Sequence, residues 1–245
     1  MGKTRKPDKS GTGFIKTEID IDNLTFCVDF TGKDTHKIWN PKTSSLEETT
    51  SNYFNSESVL FYVSNSYWFA NRSIYRNLTT AIEDYKNGQK NNSQYKYILR
   101  HILPYYFNFR HFVETELKAL SIAVKRITAI ANHNLTNLVD DLIDGVKSLT
   151  LESKGVFLKK QEELEEKKTI VLQILHNLGN NINEYVKLEP SDDYYRFIFD
   201  KDFQCGNPVV KLDLNLTEQL FSNIVSNFRE IETELHNIMY FYHLI

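Results

Sequence analysis

A mainly α fold, a helical bundle with two small β-hairpin additions, is predicted by three observations. Between Ser56 and Tyr242 most of the chain repeats apolar residues every three or four positions, the spacing of one helix face. Two short stretches, within 14–31 and 193–215, alternate apolar and polar residues instead, as half-covered strands do. Hydrophobic residues fill 41% of the 245 positions, with 16 Phe and 14 Tyr, so there is material for a sizeable core and pervasive disorder is excluded.

In chain order, residues 1–13 carry Lys, Arg, Gly and Ser without apolar partners and are expected to be a flexible tail. Residues 14–245 should form a single helical domain. Ile15, Ile19 and Ile21, then Leu24, Phe26, Val28 and Phe30, flank Asp22-Asn23 and predict an N-terminal β-hairpin over 14–31. Thr31 to Thr50 is polar, holds Pro41 and reads as a connector.

A first helix should start near Ser56, bury a stripe including Val59, Val63, Tyr67, Ile74 and Leu78, and stop at Gly88. A second spans about Ser93 to Ala131, where Pro104 is expected to kink or restart it by removing a backbone donor. Asn134 is a natural N-cap for a third helix ending at Gly145 or in Ser148–Thr150. A fourth covers about Ser153 to Leu178 and opens with the charged run Lys159–Lys168, read as a solvated, ion-paired face. Tyr195, Phe197 and Phe199, then Val210, Leu212 and Leu214, predict a hairpin insertion over 193–215, before a last helix from Thr217 to about Tyr242.

Charge and cysteine usage narrow the function classes. A net charge of −3 gives no global attraction to phosphate, so RNA would have to be met by a local patch or a groove between subunits. Cys27 and Cys205 form no CxxC pair, against a zinc knuckle or redox motif, and fit a reducing cytoplasm. No stretch approaches the roughly 18 apolar residues of a membrane span, and the basic start lacks an apolar leader core, so neither membrane insertion nor secretion is expected.

No P-loop, complete GxGxxG, HExxH or GxSxG occurs, and no cofactor or metal is expected. Asp140, Asp141 and Asp144 read as an exposed acidic helix face rather than a metal site, and Asp200-Lys201-Asp202 as a turn. The most informative stretch is Phe109 to Leu120. On a helix, Arg110, Glu114 and Lys118 stack at i, i+4 and i+8 with His111 beside them, along the edge of an apolar stripe. Ionisable groups so placed must be paired, catalytic or both.

The run Leu103 to Lys118, with its Arg110-His111-x-x-Glu114-x-x-x-Lys118 pattern, followed by Asn132-His133-Asn134-Leu135, resembles a bacterial group similar to the HEPN superfamily of helical bundles. Tyr194 to Asp202 resembles the strand and turn found downstream in those proteins, and the likeness covers roughly residues 57–243. The resemblance implies a helical, often dimeric protein of toxin, abortive-infection or antiphage systems, frequently a metal-independent endoribonuclease, with RNA and a protein of the same system as candidate partners. It also implies a nuclease motif of Arg followed a few residues later by His, matched here by Arg126 and His133, with Ile127 where a polar residue is common.

The candidate catalytic residues are therefore Arg110, His111, Glu114, Lys118, Arg126 and His133. RNA cleavage through the 2′-OH needs a group that moves protons near neutral pH, which imidazole does, and a cation on the phosphate, for which Arg has the right fork. The alternative is a non-catalytic interaction or nucleotide-binding module of the same fold, in which the charged ladder is an ion-paired strut and His133 pins the next helix start.

Overall fold

The computed structural model describes backbone and side chains over residues 60–88, 93–125, 130–150, 161–188 and 213–238, and the backbone alone over 16–20, 25–29, 31–40, 45–54, 56–59, 92, 158–160 and 239–241. Among the described residues five helices carry the fold: α1 (Ser56–Lys86), α2 (Asn92–Lys125), α3 (Leu135–Ser148), α4 (Leu158–Val186) and α5 (Leu214–Phe241). Ahead of them the backbone pairs β1 (Lys16–Asp20) with β2 (Thr25–Asp29), and β3 (Thr31–Asn40) with β4 (Ser45–Phe54), each pair antiparallel.

Where side chains are described, every regular element is a helix, so the mainly α class holds and the hairpin additions are not seen there. Thr31–Thr50, expected as a connector, instead contributes to the β3–β4 ladder, and Pro41 lies outside the described residues. Most of the 193–215 hairpin lies outside the described residues, but Leu214 and Asn215 belong to α5. Asp213 moves that helix start upstream: its Oδ1 accepts from the amides of Asn215 and Leu216, both at 3.1 Å.

α2 is the axis of the bundle. α1 runs antiparallel beside it, with Ser64, Asn71 and Leu78 buried at seven-residue spacing along the seam. Pro104 lies inside α2 and does not restart it; the residue is exposed, and the next turn is anchored by the fully buried Tyr105 and Tyr106. α2 ends at Lys125, short of the expected Ala131, and Gly88 adopts φ 93° in the turn that follows α1.

α3 packs on the C-terminal half of α2, close enough that a Cβ on Gly145 would stand 3.1 Å from Val124 Cγ1 and 3.2 Å from Lys125 Cγ. α4 continues beyond the expected Leu178 to Val186, because Ile182 and Tyr185 prolong its buried stripe and Gly179 lies against Val139. α5 runs antiparallel to α4 and parallel to α2. The pairs Tyr105–Phe221, Phe109–Phe221 and Phe112–Phe228 fix that direction.

At the centre, the rings of Phe109 and Phe221 stack with centroids 3.3 Å apart, and Tyr185 meets both edge-on. Because this contact ties α2, α4 and α5 at once, Phe221→Ala is expected to cost about 3–5 kcal/mol in urea unfolding. A loss under about 1 kcal/mol would show that the stack does not organise the core.

Candidate functional site

The ladder sits on the face of α2 turned toward the α2–α3 connection. Arg110, Glu114 and Lys118 are all buried. Lys118 Nζ donates to Glu114 Oε1 at 2.7 Å, the pair that i, i+4 spacing allows. The same Oε1 lies 2.8 Å from Nδ1 of His133, and Arg110 Nη2 donates to the main-chain carbonyl of His133 at 2.9 Å. One helix thus grips both the ring and the backbone of a residue in the following turn.

Two asparagines flanking His133 explain why it arrives there. Asn132 Oδ1 accepts from the amide of Asn134 at 3.0 Å, and Asn134 Oδ1 accepts from the amide of Asn137 at 3.0 Å, capping α3. His133 is held between these two turns. Farther along the same α2 face Lys125 Nζ meets Asp141 Oδ1 at 3.1 Å, a second tie between α2 and α3.

This arrangement sets the local electrostatics. Burial works to raise the Glu114 carboxyl, but hydrogen bonds and charges from Lys118 and His133 outweigh it and hold the group below the ordinary carboxylate range. His133 Nδ1 also lies 3.5 Å from Lys118 Nζ, the limit of a hydrogen bond. An ammonium has only donors, so Nδ1 keeps its proton for Glu114, the nearer partner, and Lys118 serves the carboxylate.

Exposure separates the members: the His133 side chain is 71% exposed while that of Glu114 is 9% exposed. A largely open imidazole is therefore held through Nδ1 by a nearly closed carboxylate, leaving Nε2 as the ring atom that can exchange protons with a bound molecule.

The other candidates stand elsewhere. His111 packs toward α1, its ring stacked on Tyr67 with centroids 5.2 Å apart and edge-on to Phe107 at 4.3 Å. Arg126 lies outside the described residues. Asp141 pairs with Lys125, and Asp140 and Asp144 are exposed. Among the described residues no group of three or more His, Cys, Asp or Glu side chains could hold a metal ion, and no helix is long and apolar enough to cross a membrane.

Two polar clusters escaped sequence reasoning. Arg72 of α1 pairs with Glu218 of α5, its guanidinium lying 4.4 Å from the centre of the Trp68 ring and 4.9 Å from that of Tyr75. Tyr105 donates to Glu218 Oε2 at 2.6 Å, and Asn71 donates to the Tyr105 carbonyl at 2.6 Å. Burial, then the bond to Glu218, push the Tyr105 phenol far above the tyrosine range, so it remains a donor. The second cluster joins Ser64 to Glu116. Its signal was present: Glu116 falls four residues after Phe112 and four before Leu120, on the apolar face.

Compared with known proteins, the chain matches no family model, no curated protein and no solved structure.

A carboxyl held below its ordinary range stabilises the fold above that range, and the contribution is lost as pH falls through the depressed folded-state value. Glu114→Gln is expected to lower the Tm at pH 7 and to shrink the fall in Tm between pH 6 and pH 2. Equal acid sensitivity of variant and parent would contradict this pairing.

Proposed function

We propose that this chain is a HEPN-like protein of bacterial defence or phage-conflict systems that cleaves RNA without a metal, with His133 as its proton-transfer group. The observation that carries the reading is the open imidazole fixed through Nδ1 by buried Glu114, an orienting carboxylate behind a histidine base. Nε2 takes the proton of a ribose 2′-OH. The oxygen attacks the adjacent phosphorus, the bond to the 5′-oxygen breaks, that oxygen leaves as a hydroxyl on taking a proton from water, and a 2′,3′-cyclic phosphate results while the imidazolium returns its proton to solvent.

Arg110 and Lys118 are positioning residues in this scheme, because the first is engaged by the His133 carbonyl and the second by Glu114. Arg126, which the sequence pattern couples to His133, supplies the cation for the phosphate. Pairing of two chains into a homodimer brings two such sets to one RNA.

A second reading, a non-catalytic module that binds a partner protein or nucleotide, is favoured by the burial of Arg110, Glu114 and Lys118. Their bonds to one another and to the backbone suffice as a strut between α2 and α3.

Labelled single-stranded RNA incubated with the purified chain in chelator separates the two. His133→Ala is expected to reduce cleavage by about 10²–10⁴-fold. Its Tm should fall by only a few degrees, the loss of the ring's bond to Glu114, since Lys118 still neutralises Glu114 and Arg110 still binds a main-chain carbonyl. Arg126→Ala is expected to abolish cleavage as well. Parent protein that leaves RNA intact, or His133→Ala protein that cuts like the parent, refutes the catalytic reading.

A further inference from the structure

Glu116 is a carboxyl enclosed by three helices. It is 3% exposed, it accepts from the hydroxyl of the fully buried Ser64 on α1, and the carboxyl of Glu232 acts on it from α5. Two carboxylates have only acceptors, so a hydrogen bond between them requires a proton on one. We propose that a proton held by Glu116 and donated to Glu232 is a structural part of this bundle, pinning α1 and α5 to α2, and that its loss loosens α5.

The surroundings explain which partner keeps the proton. Burial first, and Glu232 with it, push the Glu116 carboxyl up to about 9, against a smaller opposing pull from Ser64. From α1 the group acting on it is Ser64, whose Oγ also lies 2.9 Å from the Phe61 carbonyl, with Tyr62 and Tyr67 the adjacent titratable side chains along that helix. From α5 it is Glu232, with Arg229 and His236 one turn to either side along the helix. Among the described residues, no cation acts on Glu116. On α2 its neighbours one turn away are Phe112 and Leu120, both buried.

Linkage gives the sign of the pH dependence. The folded chain keeps a proton that the unfolded chain gives up in the ordinary carboxylate range, so this contribution is full below that range and declines until about pH 9, where the folded carboxyl also ionises. Glu116→Gln retains a donor for Glu232 and an acceptor for Ser64 but has no proton to lose.

The test is thermal unfolding of the whole chain from pH 5 to pH 9.5, with hydrogen exchange of α5 amides. The parent's Tm is expected to fall over this interval by several degrees more than that of Glu116→Gln, and α5 protection to fade at high pH in the parent alone. Glu232→Gln, altered at an exposed position, is the second variant and should flatten the profile in part, because the burial of Glu116 remains. Parallel Tm curves for parent and both variants, or a parent whose α5 protection does not change with pH, would overturn the proposal. Should Glu116→Gln fail to fold, the Glu232→Gln profile decides alone.

Discussion

One buried oxygen, Oε1 of Glu114, organises the region around the candidate site. A carboxylate at that depth must be compensated. It is met by an ammonium one turn away on its own helix and by an imidazole from the next connection. The first partner is supplied by helix geometry alone. The second requires the chain leaving α2 to return past Glu114, so the position of the α2–α3 turn is tied to the same oxygen. Arg110 adds a backbone contact at the same residue, and Asn134 then starts α3 at once. The exposed ring of His133 is the outward result of an inward electrostatic requirement.

Around the rest of α2 the bundle combines apolar area with directional polar pins. The Phe109–Phe221 stack and the rings about it supply non-directional cohesion. Arg72 with Glu218, Tyr105 with Glu218, Tyr106 with Thr217 at 2.6 Å and Ser64 with Glu116 fix the longitudinal positions of α1 and α5 against α2. A one-turn slip of either helix would leave several buried polar groups unpaired, each at about 1–3 kcal/mol. One face of α2 thus receives α3 and the site; the other receives α1 and α5.

The helices were legible because their signals are local: apolar spacing, the Asn134 cap and the glycine after α1 all act within a few residues. The ladder was legible for the same reason, since Arg110, Glu114 and Lys118 share a face by helical repeat. The place of His133 at the α3 start is likewise local, since it directly precedes the Asn134 cap. What could not be read depended on partners distant in sequence. Glu218 lies far along the chain from Arg72, and nothing local to Glu116 announces Glu232. Asp213 overruled the expected strand at Leu214 because a cap outweighs the alternation of a few apolar residues. His111, adjacent to Arg110 in sequence, points around the helix to Tyr67, since neighbours in an α-helix face different sides.

That Glu114 holds His133 as one electrostatic unit is tested most directly by a double-mutant cycle on Glu114→Gln and His133→Ala, read by urea unfolding at neutral pH. Non-additivity is expected, with a coupling energy of about 0.5 kcal/mol or more. Two single effects that sum to the double within about 0.3 kcal/mol would contradict it, for the carboxylate and the imidazole would then be neighbours without being partners.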